Sequence, residues 1–451
     1  MSLALVLFTG DLRVHENAAL SSAVAEHDEV LPTFVLDERL LGGSCGAPNR
    51  LAFLMDCLRD LDKSLRERGA SLALRRGDVV EQALRLAGRF DARAIHMSAE
   101  TTPYARARHE RLARACEQQR IELRTLPGPA VHPPGSLVPA GGDHYRVFTP
   151  YWRAWTAAPP GPPAPTPRRI PAPAGLGALR LPAVSSLTGR SPSPELISGG
   201  ETEGRRRLSA WLRGGLGSYP DRHDDLPGAA TSRLSAYLHF GCLAPRTVLE
   251  RAAKQPGGEE FVRQLCWRDF HKQVLAARPD IPHGDYRPRG DRWRRSRAET
   301  DAWREGMTGY PIVDAGMRQL AGEGFMHNRA RLITGSFLTK LLYIDWRLGA
   351  AHYAGLLLDA DVANNVGNWQ WVAGTGNDTR PNRVLNPMRQ AQRFDAGGEY
   401  VRRWVPELAS VEGPAVHRPW LLPAARRREL GYPSPILDHE SAARELRLRR
   451  R

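Results

Sequence analysis

Apolar residues follow two rhythms along this chain, and the change of rhythm divides it. Over residues 1–130 short apolar runs alternate with longer amphipathic stretches. Leu3–Phe8, Val30–Leu36, Ser71–Leu74, Ala94–Met97 and Ile121–Leu126 read as strands, with Ala47–Arg68, Val79–Arg89 and Ala105–Gln119 as helices between them. Such alternation predicts an α/β domain built on an open, parallel, doubly wound sheet. No Gly-x-Gly-x-x-Gly follows the first strand, which disfavours a nicotinamide-dinucleotide site. Residues 131–200 are crowded with proline, most densely at Pro159–Pro173. Such a stretch sustains neither helix nor sheet and is expected to be an extended surface connector. An aromatic island within it, His144 to Trp152, is expected to anchor the connector to a domain. Across residues 201–425 the period becomes helical: Arg205–Leu212, Ser235–Phe240, Arg246–Ala253, Glu259–Ala277, Asp314–Glu323, Arg329–Leu342 and Trp346–Asp359. An all-helical second domain follows, then a basic tail over 426–451 that reads as a solvated helix face.

Length and composition narrow the class. A chain of 451 residues, 41% hydrophobic and 25% charged, is globular and large enough for two or three domains. No apolar run approaches the ~18 residues of a membrane span, and the N-terminus lacks the layout of a signal peptide. Cys45, Cys57, Cys116, Cys242 and Cys266 are scattered without metal or disulfide spacing. A reduced, cytoplasmic protein without a metal site is expected. The net charge of +15 favours a polyanionic partner. Only Lys63, Lys254, Lys272 and Lys340 are lysines, so the positive charge is almost all arginine. A GC-rich coding sequence accounts for that choice of residue but not for the excess over acids.

Candidate chemistry concentrates near the end of the helical region. Trp369-Gln370-Trp371 is preceded by Asp359-Ala-Asp361-Val-Ala-Asn364-Asn365 and followed by Gly374-Thr375-Gly376. Large flat walls beside polar groups suit a pocket for flat aromatic molecules. Four further segments share this character: Thr231-Ser232-Arg233-Leu234-Ser235, Trp267-Arg-Asp-Phe270, Gly309-Tyr-Pro-Ile-Val-Asp314 and Met326-His-Asn-Arg-Ala-Arg331. Taken singly, each would be read as core or as a helix cap. Together they resemble the photolyase/cryptochrome family of flavoproteins, from about residue 3 to about residue 410, and most of all its class I cyclobutane pyrimidine dimer photolyases.

The resemblance implies a helical FAD-binding domain. Tyr219 and Thr231, Ser232, Arg233, Leu234 and Ser235 would meet the flavin's phosphates and ribityl chain. Asn328 and Arg331 would face Asp359 and Asp361, with Arg331–Asp359 paired beside the isoalloxazine. Asn365 falls where family members place the group that meets flavin N5. Photolyases typically have asparagine there, plant cryptochromes aspartate. Trp369, Trp346 and Trp293 match the tryptophan chain that photoreduces the flavin, whereas Trp303 reads as structural. Trp267 and Trp371 match the indoles that wall the lesion slot, with Gln264 and Asn328 hydrogen-bonding the lesion. Arg268, Arg329 and Arg383 would reach the DNA, and Arg287–Arg297 would form a positive rim.

Two departures from the pattern bear on the lesion. Most dimer photolyases have glutamate where this chain has Gln264, and methionine where it has Leu332. Six-four photolyases share the glutamine but use two histidines at Asn328 and Leu332. The implied activity is light-driven repair of cyclobutane pyrimidine dimers, by electron transfer from excited reduced FAD to a flipped-out dimer in damaged DNA. A cryptochrome-like photoreceptor and a six-four photolyase are the alternatives. Pro48-Asn-Arg50 resembles the stretch contacting 8-hydroxy-5-deazaflavin, which is favoured over methenyltetrahydrofolate as a second, antenna chromophore. A monomer is expected.

Overall fold

A computed structural model describes residues 2–43, 46–175, 179–228 and 230–450. Cys45 therefore lies outside the described residues; Cys57, Cys116, Cys242 and Cys266 are free and buried. Two compact units pack separately: Met1–Pro192 with Ile197–Gly217 and Ser232–Pro279, and Ser193–Leu196 with Ser218–Thr231 and Asp280–Arg451.

The first unit is built on a five-stranded sheet in the order β3-β2-β1-β4-β5. Its strands are β1 (Leu3–Phe8), β2 (Glu29–Asp37), β3 (Ala73–Gly77), β4 (Ala94–Ser98) and β5 (Glu122–Leu126), all parallel. Every residue of β1 and β4 is buried, as expected of central parallel strands covered on both faces. The edge strand β5 is mostly exposed. Leu5, Leu7, Leu31, Ile95, Met97 and Leu112 share one core.

The expected open parallel sheet is present, with local differences. The third strand starts two residues later and ends three residues later than Ser71–Leu74 suggested. The expected helix Ala47–Arg68 runs Pro48–Arg66, starting where proline's fixed φ fits a first turn. A helix at Ala18–Glu26, capped by Asn17 accepting from Leu20 N, had no clear sequence signal, because small residues give it little amphipathic contrast.

The connector is extended at Pro159–Pro173 and bonded to the unit, with Val30 N donating to Pro171 O (2.8 Å) and Ile170 N to Arg68 O (2.7 Å). The aromatic island is not loop throughout: Phe148–Ala157 is a helix. The Gly258–Ala277 helix anchors this region through two buried side chains. Gln273 Oε1 accepts from Tyr145 N and its Nε2 donates to Tyr145 O, at 3.0 and 2.8 Å. Asp269, 1% exposed, accepts from Val131 N (2.9 Å), His132 N (3.3 Å) and Trp155 Nε1 (3.1 Å). Burial pushes its carboxyl above the usual carboxylate range.

The second unit is helical. The Arg329–Leu342 helix expected from sequence is two pieces, Asn328–Ser336 and a π-helical turn, Phe337–Leu341. The next helix ends at Leu356, three residues short of Asp359. The tail differs most from expectation. Its helix, His439–Arg449, buries Leu446, and Arg450 is not solvated: its side chain is 4% exposed against 2% for Asp291. Arg450 Nε and Nη2 donate to Asp291 at 3.0 and 2.8 Å, and the guanidinium also reaches Ala373 O and Pro381 O.

Lys340, 1% exposed, donates to Ala373 O and Pro381 O nearby, and burial lowers its pKa to about 7. In the unfolded chain that amine keeps its proton up to about 10.5. Between these values the unfolded state binds more protons, so this group makes the fold more stable as pH rises. Denaturant midpoints at pH 7 and pH 9 should show the gain, and Lys340→Met should lose it. No helix among the described residues is long and apolar enough to cross a membrane.

Candidate functional site

In the second unit three helices, Asn328–Ser336, Trp346–Leu356 and Val362–Ala373, bring several of the expected residues together. Arg331 Nη2 donates to both oxygens of Asp359 at 3.1 and 2.9 Å, and its Nε to Met326 O at 2.9 Å. The carboxylate is nearly buried and the arginine partly so, so the pair fixes a cation beside the helix ends without stranding its charge. Asp361 is the N-cap of the Val362–Ala373 helix, accepting from Asn364 N at 2.9 Å and Asn364 Nδ2 at 2.8 Å. Its carboxylate thus has a structural task in addition to any ligand contact.

Asn365 and Trp369 stand four residues apart on one face of that helix. Asn365 Nδ2 donates to Ala350 O at 3.0 Å, which leaves Oδ1 to accept. Trp369 is 4% exposed, and its Nε1 meets no partner among the described residues. Burying an indole N–H without an acceptor is costly. A bound group offering an acceptor to Trp369 and a donor to Asn365 fits this chemistry.

Gly349 lets the indole in, since a Cβ there would stand 2.2 Å from the Trp369 ring. Gly349→Ala should therefore destabilise the second unit by about 1–3 kcal/mol, through overpacking. A lower thermal midpoint, with loss of bound ligand, is the expected reading.

Gln370, between the two indoles, is a bracket rather than a ligand. It is 1% exposed; its Nε2 donates to Ile281 O and Gly284 O (2.8 and 3.0 Å), and its Oε1 accepts from Tyr286 N at 2.7 Å. Trp371, two residues beyond Trp369, points about 200° away around the helix and is half-buried. Trp346 is fully buried, with Nε1 donating to Asp285 at 2.9 Å. Trp293 is half-buried with its ring 5.0 Å from Tyr343, whose hydroxyl donates to Asp291 at 2.6 Å. Trp303, read as structural, is buried, donates to Thr334 O at 3.0 Å and meets the Trp369 ring edge-on at 6.1 Å.

The expected DNA-contact residues divide by availability. Asn328 and Arg383 are exposed, as are Arg287, Arg289, Arg292, Arg295 and Arg297; Arg294 turns inward to Leu342 O. Arg329 is committed: its Nε donates to Asp224 at 3.1 Å, its Nη2 forms a closer bond, and the guanidinium lies over Phe394. Asp224, like Asp285 and Asp291, had no sequence signal, because each lies far along the chain from the residue it holds. Tyr219 is buried against His223, and burial pushes its phenol up to about 12. Thr231 is half-buried.

The remaining candidates belong to the first unit. Gln264 is exposed and Trp267 half-buried on one face of the Gly258–Ala277 helix. Trp267 stacks on Phe148 with centroids 3.7 Å apart and planes 1° from parallel, so one face of the indole is already covered. Arg268 donates to Pro129 O (2.6 Å) and Leu238 O (3.0 Å), which makes it a tie between segments rather than an open cation. Ser232 Oγ accepts from Leu234 N at 3.3 Å, and Arg233 is held at φ +51°. Leu234 is a core side chain, so only its backbone could meet a ligand. Ser235 is exposed at the start of a helix of only five residues. Arg50 is 6% exposed.

Residues 4–171 match a family model described as DNA photolyase, and residues 261–450 one described as the FAD binding domain of DNA photolyase. A deoxyribodipyrimidine photo-lyase of Streptomyces griseus is 51% identical over 442 residues, 97% of each chain. Among solved structures, a class III photolyase from Agrobacterium tumefaciens matches with a TM-score of 0.92 at 32% identity, covering 100% of this chain and 97% of its own. A Sulfolobus tokodaii photolyase described with two FAD molecules matches with a TM-score of 0.86 at 30% identity, covering 99% of both.

Proposed function

We propose that this chain, which belongs to the photolyase/cryptochrome family of flavoproteins, is a light-driven DNA repair enzyme that splits cyclobutane pyrimidine dimers. Its cofactor is FAD. Bound in its reduced form and excited by light, FAD would lend the electron that opens the cyclobutane ring and recover it once the two bases have separated. The observation that carries the reading is the unspent pair on one helix face, an acceptor at Asn365 Oδ1 and a donor at Trp369 Nε1. A neutral amide accepts a proton-bearing ring nitrogen without itself gaining or losing a proton. Arg331, held by Asp359, keeps a positive charge in place and stabilises negative charge on a reduced ring.

Around this centre the residue roles are part of the proposal. Tyr219, Thr231, Ser232, Arg233, Ser235 and the Leu234 backbone would hold the phosphates and ribityl chain, and Asn328 and Asp361 would orient the flavin. Trp293, Trp346 and Trp369 would pass the electron that reduces oxidised flavin. Trp267 and Trp371 would each stack on a lesion base, worth roughly 1–3 kcal/mol per base. Gln264 and Asn328 would hydrogen-bond the dimer. Arg383 and the exposed arginines of 287–297 would meet phosphates, while Arg268 and Arg329 shape the surface through the bonds they already make. The antenna is proposed to be 8-hydroxy-5-deazaflavin near Arg50, and the enzyme a cytoplasmic monomer.

Illuminating the purified FAD-loaded protein with oligonucleotides bearing one defined lesion tests the activity. Restored thymines from the cyclobutane dimer alone support the proposal. Repair of the six-four lesion alone, or of neither, rejects it.

A further inference from the structure

We propose that Glu26, His27 and His96 form a binding site for a divalent transition-metal ion of the zinc type in the first unit. Their side-chain ligand atoms lie within 4.8 Å of one another. His27 directly follows the Ala18–Glu26 helix, and His96 lies within β4, on which that helix packs. The spacing of 69 residues between the histidines explains why no metal motif is visible in the sequence.

Geometry is the first argument. His27 Nε2 and His96 Nε2 share a hydrogen bond of 3.3 Å with their rings 89° apart, a bond whose proton an ion would replace. Two imidazole nitrogens ~2.0–2.1 Å from one tetrahedral ion stand roughly 3.3–3.4 Å apart. The pair therefore already has the spacing that a shared ion requires. Glu26 adds an oxygen ligand, and water would complete a tetrahedron.

The cost of burying His96 is the second argument. It is 0% exposed between Ile95 and Met97, and its Nδ1 has no partner among the described residues. An apolar side chain would fill that position more cheaply.

Glu26 is less committed than it looks. Its Oε1 accepts from Ser22 Oγ at 2.7 Å and its Oε2 pairs with Arg124 at 3.1 Å, but Arg124 is shared with Glu122 at 2.7 Å. The missing partner at Nδ1 and the neighbouring guanidinium both weaken the site, so micromolar rather than structural-zinc affinity is expected. An ion here would cross-link the end of the first helix to the sheet.

Equilibrium dialysis of chelator-stripped, FAD-loaded protein against zinc ion should find one saturable ion per chain. His27→Ala, at a partly buried position just past the helix end, should weaken binding at least tenfold. Zinc should raise the thermal midpoint of the parent protein and leave that of His27→Ala unmoved. X-ray absorption at the zinc edge should show two imidazole ligands. Absence of stoichiometric binding, or binding that His27→Ala and Glu26→Gln leave unchanged, would overturn the assignment.

Discussion

Asp269→Ala is expected to be the most damaging single substitution in the first unit, at about 3–5 kcal/mol. The carboxylate is fully buried and accepts from two backbone N–H groups of the connector and from the Trp155 indole, with Arg268 3.7 Å away. Alanine would leave all these donors buried without an acceptor, the costlier way to break a polar network. At about 2–4 °C per kcal/mol for a unit of this size, the thermal midpoint should fall by roughly 10 °C. Asp269→Asn, which keeps one acceptor oxygen, should lose about half as much. Thermal melts of the two variants check both statements, and equal loss in both would mean that the network is not what holds the connector.

Asn365→Asp should have the largest effect on the chemistry. The native amide uses its NH2 on Ala350 O and keeps its oxygen for the ligand. A carboxylate would turn a second lone pair toward that carbonyl at 3.0 Å. Relief comes only by protonation or by swinging away, so the introduced carboxyl should have a raised pKa. Its stabilising contribution is then present at acid pH and is lost as pH rises through that raised value. Near neutrality the ring would face either an anion or a proton donor in place of a fixed neutral acceptor. Repair per absorbed photon should fall at least tenfold, while FAD content changes little. Undiminished repair would remove Asn365 from the proposed mechanism.

Legibility in the sequence followed physical range. The central strand could be read because burial on both faces makes it a short continuous apolar run, Leu3–Phe8. The Ala18–Glu26 helix could not, because its alanines and serines carry almost no contrast between faces. Arg331 and Asp359 were legible as a pair only through the family resemblance, and the geometry brings them together. Arg268 and Arg329 show the limit of motif reading. A motif position says that an arginine is there, whereas Pro129 O, Leu238 O and Asp224 decide what its charge is spent on. Gln370 makes the same point, since its three hydrogen bonds go to a loop some 85 residues earlier in the chain.

The Arg450–Asp291 contact makes the closing of the second unit depend on residues 159 positions apart in the chain. Until residue 450 has cleared the ribosomal tunnel, Asp291 has no guanidinium, and the carbonyls of Ala373 and Pro381 lack one of their donors. A chain cut ahead of Arg450 would keep its sheet and lose this clasp.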